Sequence, residues 1–252
     1  MKITYTQYIN NPLGEKSSVV TNRGMYQKLY REKLDKILLR EGGKVKYTLY
    51  KSKEKYYIHF KIPSEVVEKF YYDTVIEFYT DDGLKQKSAS LKDYYVKFYS
   101  NDPAFVYTFG HAFIHNKIFV EDLITKMSKE AVKDVAKEKN PKNLVGYVKS
   151  LFFAYLLIGD YGLFAKSIYD KSAENYNKNK LIKEVEHASK KIEARKLEGE
   201  KQQKKKRREK NNEERFSGKN IVDKINPIKN IKTTKKVSTS SKSKNIKTTK
   251  KI

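Results

Sequence analysis

Apolar residues recur at near-helical spacing in RGMYQKLYREKLDKILLREGG, where Tyr26, Leu29, Tyr30, Leu34, Ile37 and Leu38 share one face ahead of Gly42 and Gly43. That spacing predicts a helix over residues 24–41. The preceding residues 1–22 are interrupted by Asn10, Asn11, Pro12 and Gly14 and read as an arm or loop. After Gly43 the period falls to two. Val45, Tyr47 and Leu49, then Tyr56, Ile58, Phe60 and Ile62, alternate with polar neighbours around the SKEK stretch at 52–55, which is the signature of a hairpin whose second strand stops at Pro63. DTVIEFYTDDGL predicts a third strand over 73–80, closed by Asp81, Asp82 and Gly83, and KDYYVKFYS a fourth near 92–99. The expected fold class is therefore α+β, with a small antiparallel sheet packed with the N-terminal helix.

From Asp102 the helical period returns. Asp102 is a good cap and Pro103 a good first-turn residue for a helix through AFVYTFGHAFIHN to about residue 116. VEDLITKM follows, then SKEAVKDVAKEKN with Ser128 as a further cap, and Pro141 is read as opening the strongest helix, NLVGYVKSLFFAYLLIGDYG. Residues 168–215 hold one breaker, Gly199, and are charged on nearly all faces, so a long solvated helix is expected there. Leu181, Val185, Ala188 and Ile192 make a thin apolar stripe along it that would dock on the domain or on a second copy. Farther on, NIKTTKK at 230–236 returns unchanged at 245–251, with VSTSSKSK between, a composition that suits a flexible basic tail.

Charge sharpens this division. Residues 1–170 hold 28 Lys and Arg against 20 Asp and Glu, whereas residues 171–252 hold 27 against 10. Of the 32 Phe and Tyr, Tyr176 and Phe216 alone lie in the latter stretch, which buries too little apolar surface to fold by itself. The expected organisation is an arm over 1–22, an α+β globular domain over 23–170, a long charged helix over 171–216 and a disordered Lys-rich tail over 217–252. Lysine bias contributes, since 48 of the 55 basic residues are Lys, but bias does not concentrate charge at one end. There is no cysteine, which excludes disulfides, thiolate nucleophiles and Cys-ligated zinc. The longest apolar run, LFFAYLLIG at 151–159, is too short to span a bilayer and reads as a core helix, and the N-terminus lacks a secretory apolar run. A soluble protein made in a cytoplasm, with no membrane partner, is expected.

Candidate chemistry is sparse. In HAFIH, His111 and His115 lie one helical turn apart and share a face, but a zinc metalloprotease places Glu where Ala112 stands. A third ligand would come from Glu121 or Asp122, and the flanking Phe109, Phe113 and Ile114 suit a packed core. The pair is read as structural, with His111 and His115 the candidates should a metal be bound; no metal and no cofactor are expected. His59 reads as a strand residue and His187 as a solvated helix residue. LGEKSS at 13–18 lacks the upstream glycine of a phosphate loop and carries Glu15 where phosphate would sit. Asp81 with Asp82, and Glu121 with Asp122, fit a turn and a helix start. Neither a nucleophile elbow nor a dinucleotide glycine fingerprint is present, and no catalytic residue is assigned. The densest cationic run is KQQKKKRREK at 201–210. Lys204, Lys205, Lys206, Arg207, Arg208 and Lys210, with Lys235, Lys236, Lys250 and Lys251 of the repeats, are the candidate nucleic-acid contacts, because each cation that neutralises a phosphate releases a counterion. The strand KYTLYKSKEKYYIHFK would serve as a stacking platform if its rings were exposed.

Three blocks, INNPLGEKSSVVTNRGMY at 9–26, SNDPAFVYTFGHAFIHN at 100–116 and LVGYVKSLFFAYLLI at 144–158, together resemble uncharacterised late-region proteins of tailed bacteriophages with AT-rich genomes. The resemblance implies a virion or assembly component, head or neck associated, non-enzymatic, homo-oligomeric and in contact with other virion proteins. With the charge layout it sets the expectation of a structural protein whose basic C-terminal extension contacts packaged DNA or an acidic partner. The alternative is a sequence-nonspecific DNA- or RNA-binding protein outside any particle.

Overall fold

The computed structural model describes residues 2–10, 23–81, 88–127, 140 and 143–216. The chain divides into two compact units, residues 1–203 and 204–252. The first unit is an α+β fold in which the helices α1 (Tyr5–Asn10) and α2 (Arg23–Arg40) precede strands β1 (Tyr47–Lys51), β2 (Lys55–Pro63), β3 (Tyr71–Tyr79) and β4 (Tyr95–Ser100). A π-helical turn, Phe105–Phe109, leads into α3 (Gly110–His115), and a 3-10 helix, Glu121–Lys126, follows. Then come α4 (Lys149–Asp160), α5 (Lys166–Ser172), β5 (Glu174–Asn175), α6 (Lys178–Glu184) and α7 (Ala188–Phe216). Residues 204–216 of the second unit belong to α7.

The sheet runs β4-β3-β2-β1-β5. The predicted hairpin forms with Tyr47 opposite Phe60 and Lys51 opposite Tyr56, and β2–β3 and β3–β4 are likewise antiparallel. β5 is unannounced in the sequence and pairs parallel to β1, so the sheet is mixed. Two residues flanked by charged neighbours carry no alternation, and only the tertiary path sets them beside Tyr50 and Lys51. α2 ends as the sequence requires. Gly42 and Gly43 take φ of +74° and +84°, and the Gly43 amide bonds Leu38 O at 2.7 Å, a termination that other residues resist.

Strand alternation gives the sheet two unlike faces. On one, Ile58, Phe60, Ile76, Phe78, Val96 and Phe98 are buried beneath α4, which packs on β2, β3 and β4 and in turn carries α2. Of the segment expected as an arm, residues 2–10 are part of this layer. Tyr5 and Tyr8 are buried against Phe98 at ring separations of 5.0 and 4.8 Å, their polar tips satisfied where Tyr5 donates to Leu151 O (2.5 Å) and Tyr8 to Gly146 O (3.0 Å). A six-residue polar-looking helix is too short to show its period, so its burial was not legible.

The same tyrosine moves the start of the strongest helix. Residues 143–148 are not helical, because Tyr8 Oη also accepts from the Val148 amide (3.3 Å), Asn140 brackets Leu144 through its amide and carbonyl, and the Phe109 ring fills the space a side chain at Gly146 would need. The helix therefore opens at Lys149 rather than after Pro141. The expected helix over SKEAVKDVAKEKN lies outside the described residues.

The expected long charged helix forms as α7, but its start moves from 171 to Ala188, because the stretch before it breaks into β5 and α6. Tyr176 turns inward to stack on Tyr57 (4.2 Å), Asn177 caps α6 through the Lys180 amide (3.0 Å), and His187 Nδ1 accepts from the Ser189 amide (3.3 Å) as α7 begins. His187 is thus a helix-start residue, not a solvated helical one. The stripe Leu181, Val185, Ala188 and Ile192 is buried in the core, which extends the folded domain past residue 170. Among the described residues no helix is long and apolar enough to cross a membrane.

Candidate functional site

Two assemblies of charge stand out, and they differ in whether their charges have partners. The first is the basic run of α7. Residues Lys204, Lys205, Lys206, Arg207, Arg208 and Lys210 are all helical and exposed. Lys205 pairs with Glu209, 3.8 Å away on one turn of the same helix. Lys201, Lys204 and Arg208, at i, i+3 and i+7, fall along one stripe of the helix. Lys235, Lys236, Lys250 and Lys251 lie outside the described residues.

The second is a buried polar cluster on the other face of the sheet, beneath the segment from β5 to the start of α7. Asp73 of β3 is fully enclosed, and its Oδ1 accepts from His59 Nε2 (2.9 Å) and Lys61 Nζ (2.9 Å). Its Oδ2 accepts from Asn101 Nδ2 (2.9 Å) and the Glu186 amide (3.1 Å). Burial opposes the charge on Asp73, but the hydrogen bonds from His59 and Lys61 and the positive charge of Lys61 outweigh it and hold the carboxyl well below the usual carboxylate range. Since Asp73 is the acceptor, His59 Nε2 carries the proton and Nδ1 is left toward Glu184 Oε2, 3.8 Å away. Glu184 also accepts from the Tyr50 hydroxyl, whose pKa burial and that carboxylate raise. Farther along the same face Glu77 is buried and ion-paired with Lys55 (2.9 Å), burial raising its pKa against the pull of Lys55 and Lys97.

Sequence reading left His59 isolated. The signal was present in the alternation, which sets His59, Lys61 and Asp73 on one face once β2 and β3 pair, but the register that joins Lys61 to Asp73 is a tertiary fact.

The HAFIH pair is brought together as its spacing required, with ring centroids 6.5 Å apart and planes inclined by 22°. His111 Nδ1 bonds Asn143 Oδ1 at 2.8 Å, so one nitrogen of the pair is already used. Glu121 is ion-paired with Lys97 and Asp122 with Lys178, Asp122 also accepts from the Tyr176 hydroxyl, and among the described residues no group of three metal-ligating side chains assembles. Asp102 does cap the helix after it, accepting from the Ala104 amide (2.9 Å), and burial raises its pKa. The stacking-platform reading of the hairpin meets buried rings: Tyr50, Tyr56 and Tyr57 are core residues, and of that strand's tyrosines Tyr47 is the exposed one, at 42 %. LGEKSS lies outside the described residues.

Comparison with protein-family models, with curated proteins and with solved structures finds no match to this chain.

Proposed function

We propose that the protein is a non-enzymatic structural or assembly component of a tailed bacteriophage virion, head or neck associated, that contacts packaged nucleic acid through the basic part of α7 and the Lys-rich segment after it. The observation that carries the nucleic-acid contact is the exposed run Lys204–Arg208, in which one residue of five is engaged by a carboxylate. Ammonium and guanidinium groups already in water give up little hydration when they meet phosphates, and the release of condensed counterions drives the contact without sequence preference. Residues 204–252 hold 18 Lys and Arg against four Asp and Glu, which extends the same chemistry through both NIKTTKK repeats. The particle assignment is supported by the resemblance of the blocks at 9–26, 100–116 and 144–158 to phage late-region proteins.

Filter binding to duplex DNA over a salt series tests the contact. The logarithm of the association constant should fall linearly with the logarithm of salt, with a slope of about −4 or steeper if the run alone engages five phosphates at about 0.9 each. A flat response overturns the proposal. Mass spectrometry of purified particles tests the location, and salt-dependent binding by a protein missing from particles would transfer the reading to a free, sequence-nonspecific DNA- or RNA-binding protein.

A further inference from the structure

Residues 204–213 lie in the second unit as about three turns of α7, and all of them are exposed. A helix without a buried face has no packing to hold it, and Lys204 here meets like charges in Arg207 at i+3 and Arg208 at i+4. Consecutive residues on a helix are turned by about 100°, so the contiguous cations Lys204–Arg208 cannot share one face. They form two flanks instead. With Lys204 at the origin, Arg208 and Lys205 fall at about 40° and about 100°, whereas Lys206 and Arg207 fall at about 200° and about 300°. The gap between Lys205 and Lys206 holds Glu209 and Glu213, and the direction opposite that gap holds Asn211. The two cationic flanks are thus separated by carboxylates on one side and by an uncharged amide on the other.

We propose that this part of α7 seats lengthwise in the major groove of B-form DNA, an inference that rests on the nucleic-acid contact proposed above and narrows it to duplex DNA. A helix laid against the outside of a duplex would meet one phosphate row with one flank and leave the other flank in water. The major groove is about 12 Å wide and bordered by two phosphate rows, and a helix with its side chains is about 10–12 Å across, so both flanks reach phosphate at once. Lys204, Lys205 and Arg208 meet one row, and Lys206 and Arg207 meet the other. Glu209 and Glu213 then face out of the groove, away from both rows, and Asn211 faces the base edges, to which a side-chain amide can both donate and accept. The seat also offsets the repulsion between Lys204 and its neighbours, since each cation gains a counter-charge. An RNA duplex offers no such seat, because its major groove is deep, narrow and closed to side chains.

The full-length chain is bound to a short DNA duplex and to the RNA duplex of the same sequence over a salt series. The logarithmic salt slope should be shallower on RNA by about two, because the contacts of Lys206 and Arg207 with the second row are lost. Guanine N7 opens into the major groove and adenine N3 into the minor groove. Saturating protein should therefore slow methylation of guanine N7 by dimethyl sulfate and leave adenine N3 reacting as in free DNA. Lys206→Gln and Arg208→Gln, exposed positions about 160° apart on the helix, should each make the slope on DNA shallower by about one. A slope that responds to one of these substitutions and not to the other means contact from one side. Equal slopes on DNA and RNA, or guanine N7 methylated at the free rate, mean contact outside the groove. Each of these results overturns the groove seat and leaves the phosphate contact standing, whereas a flat salt response with wild-type protein overturns the phosphate contact and the seat with it.

Discussion

Asp73 and Lys204 carry unit charges in the same chain and meet opposite surroundings. Asp73 is enclosed and satisfied by four donors drawn from β2, from Asn101 and from the start of α7. Lys204 lies exposed among like charges. The contrast holds for the two units. In the first, Glu77, Lys191 and Asp73 are buried beside counter-charges, Lys191 lying 3.3 Å from Glu186 and over the Phe70 ring at 4.5 Å. In residues 204–213 of the second, cations outnumber carboxylates and stay in water. A buried charge with its partners cannot leave without exposing them, so it specifies the fold. An exposed, unpaired one contributes little to the fold and remains open to a polyanion.

The most damaging way to break this contrast is Asp73→Ala. It leaves His59 Nε2 and the Glu186 amide without an acceptor in a closed site, takes one of two acceptors from Asn101 Nδ2 and the ion pair from the part-exposed Lys61, and loss of one partner from a buried ionic group costs about 3–5 kcal/mol. Urea unfolding should show a loss of that size. The sign with pH follows from the lowered pKa: the folded carboxyl titrates below its unfolded value near 4, so the stabilisation is present above about pH 4 and is lost as pH falls through the folded value. The wild type should therefore weaken in acid more steeply than Asp73→Ala, and equal slopes would remove the ionised carboxylate from the account.

Lys204→Glu, Arg207→Glu, Arg208→Glu sharpens the contrast from the other side. The urea midpoint should not move, because none of the three is paired. DNA affinity should drop, with the salt slope shallower by about three. A stability loss without a binding loss would invert the assignment of the two kinds of charge.

A smaller effect is expected from Tyr176→Ala. Its ring stacks on Tyr57 with planes 10° apart and its hydroxyl donates to Asp122 Oδ2 at 2.6 Å, so the segment from β5 to α6 is tied to the polar sheet face through this side chain. One aromatic pair and one hydrogen bond together contribute about 1–2 kcal/mol. Amide exchange should quicken over residues 174–187 while the β2–β3 ladder keeps its protection, and uniform quickening would mean that the segment is not a separable cover.

These sites also mark the limit of what was legible in the sequence. The hairpin, the third and fourth strands, α2 and its glycine end were readable because period and turn residues are local properties. The start of α4, the burial of Tyr5 and Tyr8, and the break at Tyr176 were not, since each depends on a side chain that bonds or stacks across more than a hundred residues. The basic run was visible as a string of residues, and its exposure in a helix agrees with its composition. The cluster around Asp73 needed the strand register.

The smallest expected effects belong to HAFIH, the motif that looked most like chemistry. His111 shares a partly buried hydrogen bond with Asn143, a residue held at a φ of +51°, whereas His115 is exposed. His111→Ala should cost about 1 kcal/mol, the usual value of one hydrogen bond, and His115→Ala less. A metal bound to the folded state would raise the melting temperature in proportion to the logarithm of its excess over Kd. Two near-parallel rings, one already bonded to Asn143, with no third ligand beside them among the described residues, offer too few donors for a tetrahedral site. Melting in excess zinc should match melting in chelator for the wild type and for both variants. A rise confined to the wild type, with one zinc per chain, would convert the pair from packing to ligation and place a third functional charge in the unit that otherwise spends its charges on folding.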